Sequence, residues 1–148
     1  MRLVIYQPDI AQNLGAMLRT CAGLGFGADI ILPCGFPIDD RRLRRAAMDY
    51  INILDYTWHD SWNNFLISKP TARRLVLLTT KTELPYYDFE FSSDDLLMVG
   101  RESAGVPDEV AKQCDALVTI PMVPEARSLN VAVAASIVMG EARRRIPI

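Results

Sequence analysis

Three short segments of the sequence place polar side chains beside glycine or proline where predicted strands meet helices. The first is residues 13–19, which begins with an asparagine and ends with Arg19. Arg19 stands on an otherwise apolar predicted helix. Because burying an unpaired cation is costly, we expect Arg19 to have an anionic partner or to face a site. A planar guanidinium suits phosphate. The alternative is an asparagine N-cap followed by one arginine that reaches solvent.

The second and third segments follow later predicted strands. Residues 99–107 run from an apolar strand into Gly100, a charged pair and Gly105, and glycines allow the backbone to approach a ligand closely. Residues 120–131 place two prolines, a serine and an asparagine before a long helix. An ordinary strand–turn–helix junction and a capped helix would each explain one segment alone. In a parallel sheet, however, all three segments meet at one edge, where ligands bind.

The elements that position these segments alternate between strand and helix. Apolar runs predict strands at 2–6, 28–32, 51–58, 75–79, 96–99 and 116–120. Helical spacing predicts helices at 13–24, 39–48, 60–67, 107–113 and 130–145, and 85–95 is left as loop. Because the strands are continuous apolar runs, we predict an α/β fold whose mostly parallel sheet is covered by helices on both faces.

Composition narrows the class of protein. The chain has 148 residues, of which 50% are hydrophobic and 23% charged, so we predict a single domain over residues 1–148. We find neither a signal peptide nor an apolar run long enough to span a bilayer, and expect a cytoplasmic protein. Cys21, Cys34 and Cys114 form no paired motif, and His59 is the only histidine, so we predict neither disulfides nor a metal site.

Two further patterns bear on ligands. Gly23, Gly25 and Gly27 follow a helix and precede a strand, which is the reverse of a dinucleotide-binding loop and predicts a helix C-cap with a turn. The net charge is −2, but thirteen of the sixteen basic residues are arginine and several are clustered. Because a guanidinium suits phosphate, the clustered Arg41, Arg42, Arg44 and Arg45, with Lys81 and Arg127, are candidate phosphate contacts. Solvated helix faces are the alternative for these clusters.

Taken together, the segments resemble a known family. N-x-G-x-x-x-R from Asn13, G-x-E from Gly100 and I-P-M with S-L-N between Ile120 and Asn130 resemble the three motifs of the SPOUT-class, SpoU-like 2′-O-methyltransferases. Order, spacing and length are similar to those of the smallest members, which act on the wobble position of tRNA. Further matching pieces at 35–36, 40–46 and 78–81 extend the resemblance over essentially the whole chain.

The resemblance implies a fold and an activity. The fold would be an α/β knot with a C-terminal trefoil, an exception to the usual absence of knots. The activity would be S-adenosylmethionine-dependent methylation of the ribose 2′-hydroxyl of nucleotide 34 in tRNA, with leucine tRNAs as expected substrates. The enzyme would be a homodimer whose active site draws on both subunits. We expect the interface on the first and last helices, because 131–143 carries more apolar surface than one sheet face needs.

The resemblance also assigns residues. It implies cofactor contacts at Leu78, Thr79, Thr80, Gly100, Arg101, Glu102, Ile120, Met122, Ser128, Leu129 and Asn130. It assigns catalysis to Arg19, supported by Asn13, Glu102, Ser128 and Asn130. Methyl transfer needs alignment and removal of one proton, and both a base and an electrostatic role for Arg19 stay open. With RNA as the implied substrate, we predict that RNA is contacted by Arg41, Arg42, Arg44, Arg45, Lys81 and Arg127. Arg101 stands where related enzymes carry smaller or neutral residues, and would reach RNA phosphate or point to solvent.

Two alternatives belong to other functional classes. A related enzyme would methylate another tRNA or ribosomal RNA position, although the lack of an added RNA-binding domain favours a small target. A flavodoxin-like module would bind a nucleotide without chemistry, but it would not require Arg19, Glu102 and Asn130 together. Binding of S-adenosylhomocysteine would distinguish a methyltransferase from this module.

Overall fold

The computed structural model describes residues 1–38, 45, 50 and 52–146. In chain order the elements are β1 (Arg2–Tyr6), α1 (Ala11–Leu24), β2 (Gly27–Ile31), β3 (Tyr56–His59), α2 (Trp62–Ser68), β4 (Leu75–Leu78), β5 (Leu96–Val99), α3 (Asp108–Ala111), β6 (Ala116–Val118) and α4 (Val131–Arg145). The six strands form one sheet in the order β3-β2-β1-β5-β4-β6, and every pair is parallel. The predicted α/β fold with a parallel sheet is confirmed.

Both faces of the sheet are buried, as the continuous apolar strands predict. Side chains alternate along β1: Leu3 and Ile5 join a cluster formed with α1 and α4, whereas Val4 and Tyr6 join a cluster with Phe65 of α2. Strand β5 alternates in the same way. Each central strand therefore buries its side chains on two sides, which fixes the position of its carboxyl end.

The order of the strands creates a crevice. From β1 the chain proceeds outward through β2 and β3, and the later strand β5 then pairs with the other edge of β1. Such a reversal is where ligands bind in open α/β sheets, beyond the carboxyl ends of the strands. The loops that follow β1, β4, β5 and β6 all leave the sheet at this edge.

Several predicted boundaries are wrong by a few residues, for identifiable reasons. The strand predicted at 51–58 begins only at Tyr56, because its partner β2 supplies no register partner before Ala28. The strand predicted to reach Ile120 ends at Val118, which pairs with the last residue of β4, Leu78. Strand length here is set by the neighbouring strand.

Helix ends follow their caps. Helix α2 begins after Ser61, whose side chain accepts a hydrogen bond from the Asn64 N–H at 3.2 Å. Helix α3 has four residues, fewer than the predicted 107–113, and Pro107 stands just before it. Helix α1 ends at Gly25 in the left-handed region (φ 68°), which confirms the C-cap interpretation of the glycines.

Other predictions are addressed only in part. Most of the basic helix predicted at 39–48, including Arg41, Arg42 and Arg44, lies outside the described residues. Within the described residues, no helix combines the length and apolarity needed to cross a membrane.

A charged network ties the three strands on one side of the sheet together. Asp29 on β2 is 7% exposed and accepts a hydrogen bond from Arg2 Nε at 2.6 Å. Its other oxygen lies 2.8 Å from His59 Nε2 on β3. Arg2 also pairs with Asp55. The only histidine therefore serves the sheet, at the end of β3 and away from the three polar segments.

We expect the central strand pair to dominate stability. Leu97 on β5 is 1% exposed, so Leu97→Ala should lower the free energy of unfolding by about 2–5 kcal/mol through lost burial and a residual cavity. Urea denaturation at fixed protein concentration measures this. Ile67→Ala is the control, because Ile67 is 84% exposed and its loss should change stability by no more than about 0.5 kcal/mol. Equal losses would contradict this account of the core.

Candidate active site at the carboxyl edge of the sheet

A cavity of about 530 Å³ opens at the carboxyl edge of the sheet. Its walls are the loops after β1, β4, β5 and β6 together with the first turns of α1 and α4. All of the predicted cofactor contacts line it: Leu78, Thr79, Thr80, Gly100, Arg101, Glu102, Ile120, Met122, Ser128, Leu129 and Asn130. The fold thus brings the three segments together, although they are far apart in sequence.

A chain of hydrogen bonds joins the three segments. Glu102 Oε1 accepts from Asn13 Nδ2 at 3.1 Å, and Asn13 Oδ1 accepts from Asn130 Nδ2 at 3.0 Å. Asn130 Oδ1 in turn accepts from the N–H groups of Ala132 and Val133. A carboxylate only accepts and a backbone N–H only donates, so both ends of the chain fix the orientation of both amides.

The two asparagines differ in role: Asn130 caps a helix, whereas Asn13 does not. Asn130 is the N-cap of α4, so the segment before this helix does include a capped helix start. The predicted N-cap role of Asn13 is wrong: α1 begins two residues earlier, after Ile10, without a side-chain cap. Asn13 is instead in the first turn, where its amide is used by Glu102 and Asn130.

The loop after β5 is a tight turn that presents Glu102. The N–H of Arg101 donates to the carbonyl of Gly105 at 2.9 Å, and the reverse bond has the same length. Gly105 has φ +63°, and a Cβ on Gly100 would lie 2.5 Å from the Gly105 carbonyl carbon. Both glycines are therefore required by the turn, the first for close approach and the second for its conformation.

Asp9 is a site residue that our sequence analysis missed. Its carboxylate accepts from Arg101 Nη2 at 2.6 Å and from the Ser103 hydroxyl at 2.6 Å. Hydrogen bonds from Arg101 and then Ser103 lower the pKa of Asp9 to about 2. Arg101 thus does not simply point to solvent. The available signal was position: an acidic residue just past a strand, at the edge where the other segments meet.

Arg19 is the one predicted catalytic residue outside the cavity wall. It lies six residues beyond Asn13 on α1, about 9 Å along the helix axis, and is exposed. Its guanidinium carbon is 5.3 Å from the centre of the Tyr50 ring, and no carboxylate of the described residues pairs with it. Within its own chain Arg19 therefore has neither of the surroundings that we expected, an anionic partner or a site, and the assignment of catalysis to Arg19 stays a prediction.

Three of the predicted RNA-contacting residues lie within the described part of the chain, and all three are exposed. Lys81 stands on the cavity rim, 3.4 Å from Asp108. Arg127 follows in the exposed loop before α4, and Arg45 is also exposed.

Cysteine and metal chemistry find little support among the described residues. All three cysteines are free. Burial raises the pKa of Cys21 to about 12 and those of Cys34 and Cys114 to about 11, so their thiols are protonated at neutral pH. In this part of the chain, no group of three His, Cys, Asp or Glu side chains is placed to hold a metal ion.

Known proteins share both the sequence and the shape of this chain. The profile of the SpoU rRNA Methylase family matches residues 1–140. The chain belongs to the SpoU methylase family. A relative from Beijerinckia indica, named tRNA (cytidine(34)-2′-O)-methyltransferase, is 55% identical over 97% of this chain and 91% of its own length. The Escherichia coli K12 protein of the same name is 38% identical over 99% and 94% of the two chains.

Solved structures superimpose closely on this SpoU methylase. One, described as giving insights into the 2-OH methylation of C/U34 on tRNA, has a TM-score of 0.93 at 39% identity and covers 98% of this chain and 95% of that chain. An AdoMet-bound rRNA methyltransferase from Sinorhizobium meliloti has a TM-score of 0.89 at 26% identity. The match covers 99% of this chain and 57% of that chain.

Substitution of Asn130 separates its two roles in this SpoU methylase. Asn130→Ala should cost about 0.5–2 kcal/mol of stability, because the cap of α4 is lost. Asn130→Asp loses the donor to Asn13 Oδ1 but should cost no more than Asn130→Ala, since a carboxylate still accepts from the first N–H groups and suits a helix N-terminus. Chemical denaturation measures both. Ser61→Ala removes the cap of α2, which has no link to the cavity, and should resemble Asn130→Ala. A larger loss for Asn130→Asp than for Asn130→Ala would contradict the cap assignment.

Proposed function

We propose that this chain is a tRNA (cytidine/uridine-2′-O)-methyltransferase that transfers a methyl group from S-adenosylmethionine to the ribose 2′-hydroxyl of nucleotide 34. The observation that carries the proposal is the convergence of all three segments on one cavity, with Glu102, Asn13 and Asn130 held in a single hydrogen-bonded chain. The relatives that bear this name match nearly the full length of the chain. A flavodoxin-like binding module would not need this arrangement.

The cavity fits S-adenosylmethionine in size and lining. Its volume of about 530 Å³ lies within the range of about 300–1,000 Å³ typical of small-molecule sites. Apolar side chains at Leu78, Ile120 and Leu129 offer contacts for an adenine ring, and the glycine turn exposes backbone groups. When bound, this cofactor supplies an activated methyl group on a sulfonium, so the chain itself needs no nucleophile.

The remaining tasks fall to the residues of the chain. They must align the ribose oxygen and stabilise the negative charge that develops as its proton leaves. Glu102, Asn13 and Asn130 are preorganised, because each is already hydrogen-bonded in one orientation. We assign the electrostatic role to Arg19, since a guanidinium stays protonated at neutral pH and cannot act as an ordinary base.

This role requires a second subunit. Arg19 lies outside the cavity of its own chain and is exposed on α1. Helix α1 packs on α4, where Thr20 Oγ1 lies 3.2 Å from Ser136 Oγ, and the two helices share an exposed face. That face carries apolar side chains at Val133 (51% exposed) and Ile137 (37% exposed). We propose that a second copy covers it, and that the partner subunit's Arg19 completes the site.

The proposal extends to substrate and setting. Lys81 lines the cavity, and Arg127 is exposed and directly precedes Ser128 of the cavity wall. We expect both to contact tRNA phosphates, together with the arginines predicted at 41–45. A tRNA-modifying enzyme of this kind would work in the cytoplasm. A single domain over residues 1–148 and the trefoil knot implied by the resemblance remain parts of the same proposal.

Cofactor binding can be tested separately from catalysis. Calorimetry should show one S-adenosylhomocysteine bound per subunit. Gly100→Ala should weaken this affinity by about tenfold or more, because the added methyl group forces the turn at Gly105 away from its position. Absence of binding by the unaltered protein would refute the proposed cofactor. A normal affinity for Gly100→Ala would place the cofactor elsewhere.

Catalysis should depend on Arg19 but cofactor binding should not. We expect the unaltered enzyme to methylate nucleotide 34, with leucine tRNAs among the substrates tested, as read by mass-spectrometric nucleoside mapping. Arg19→Ala should lower the single-turnover rate by at least about 10²–10³-fold. Arg19→Lys should recover little, because it keeps the charge but loses the planar fork. Near-normal methylation by Arg19→Ala would mean that Arg19 has no catalytic role and contributes at most to the dimer interface.

A mixture of two impaired variants, assayed at a cofactor concentration that fills the unaltered cavity but not that of Gly100→Ala, tests whether Arg19 acts across the dimer. Arg19→Ala and Gly100→Ala subunits, mixed equally and allowed to exchange, should recover about one quarter of the active sites, because half of the dimers then contain one intact combination. If Arg19 serves its own subunit, no activity should return.

A further inference from the structure

The carboxylate of Asp9 holds the chain on both sides of Glu102. Arg101 donates to Asp9 Oδ1 through Nε at 3.1 Å and through Nη2 at 2.6 Å. Ser103 donates to Oδ2 through its N–H at 3.1 Å and its hydroxyl at 2.6 Å. Both oxygens of one carboxylate are therefore occupied by the two residues that flank Glu102.

The connection also runs in the opposite direction. The backbone N–H of Asp9 donates to Glu102 Oε2 at 2.7 Å. The other oxygen, Oε1, accepts from Asn13 at 3.1 Å. Asp9 thus sets both the backbone from which Glu102 projects and one of the two hydrogen bonds that orient its carboxylate.

Asp9 is suited to this task because its own backbone is fixed. Gln7, just before the loop, is in the left-handed region with φ 45°, an uncommon conformation for a residue other than glycine. The carbonyl of Pro8 accepts from the Gly35 N–H at 2.9 Å. A Cβ on Gly35 would lie 3.0 Å from both the Cα and the carbonyl oxygen of Asp9, so this glycine permits a close backbone contact.

We infer that Asp9 is a positioning residue for the methyl-transfer site. Through its ion pair with Arg101, it holds the 101–103 turn so that the Glu102 carboxylate meets Asn13 at the cavity wall. This inference rests on the proposed function. It gives Arg101 a task within the protein, because the guanidinium is already bound by Asp9 and is not free to serve chiefly as a phosphate contact.

The Asp9–Arg101 ion pair keeps its charge at neutral pH, as a positioning contact requires. Because the pKa of Asp9 is lowered to about 2, the carboxylate is ionised throughout the neutral range. A depressed carboxylate pKa contributes stability above the unfolded value, and this contribution is lost only as the pH falls below about 4. Asp9 therefore should not titrate during catalysis, which distinguishes positioning from acid–base chemistry.

The inference predicts a specific pattern of rates. In single-turnover methylation of tRNA at saturating cofactor, Asp9→Ala and Asp9→Asn should lower the rate constant by about 10–100-fold, because Glu102 is misplaced. Asp9→Glu should recover part of this loss, since it keeps the charged pair. Arg101→Ala should lose less than Asp9→Ala, and should cost nothing further in an Asp9→Ala background, because both changes act on one connection.

Two additional measurements decide between positioning and the alternatives. Between about pH 6 and 9, the ratio of the rates of the unaltered enzyme and Asp9→Asn should be constant; a ratio that changes with pH would mean that Asp9 titrates in the reaction and would overturn the inference. The affinity for tRNA should change little in Arg101→Ala. If Arg101 binds phosphate instead, the tRNA affinity of Arg101→Ala should fall, whether or not Asp9 is present. The slope of log affinity against log salt concentration should then decrease by about one, as expected for the loss of one phosphate contact.

A matched control is available at the opposite edge of the sheet. Asp95 precedes β5 and, like Asp9, accepts from an arginine and from a serine N–H: Arg74 at 2.8 Å and Ser92 at 2.8 Å. Asp95→Asn, or the milder Arg74→Ala, should lower stability without changing the rate of the folded enzyme. If these controls slow methylation as much as Asp9→Asn does, or if Asp9→Asn leaves the rate unchanged in an active enzyme, Asp9 has no positioning role. Failure of the unaltered enzyme to methylate tRNA would instead reject the proposed function.

Discussion

The carboxylate of Glu102 is the interaction on which the site depends. As a pure acceptor, it determines that Asn13 presents its amino group, and hence that Asn130 presents its own amino group to Asn13. The chain ends on the first N–H groups of α4, which can only donate. Loops from three distant parts of the sequence are therefore joined with a single possible polarity. Such an arrangement has few alternative states, which is what a preorganised site requires.

The sheet makes this arrangement possible by separating stability from chemistry. Leu3 and Leu97 pair at the centre of the sheet, and the side chains of β1 and β5 are buried on both faces. The polar groups lie just beyond the carboxyl ends of these strands, in turns held by glycine and by hydrogen bonds. Rigid strands thus carry short connections whose side chains need only small adjustments to meet a ligand.

Local sequence patterns predicted much of this structure, and the exceptions have physical reasons. Apolar runs located the strands, and their ends located the cavity residues around Leu78, Gly100 and Ile120. The pairing of Asp9 with Arg101 depends on the order of the strands, which no local pattern encodes. The apolar neighbours of Arg19 could not show which side of α1 is exposed: the helix leaves one stripe, which includes Ala16 and Arg19, uncovered.

The same central strand pair has a consequence for how the protein is made. Strand β1 leaves the ribosome well before its neighbour β5, which follows only after β2, β3 and β4 have been synthesised. Until then one edge of β1 has no partner and its apolar side chains cannot be fully covered, the condition in which nascent chains associate wrongly. The pairing is also one of high contact order, which slows folding because a long loop must close first. Formation of the central strand pair and of the turn that carries Glu102 therefore coincide, since this turn begins directly after β5, whereas β6 and α4 complete the sheet and the cavity later.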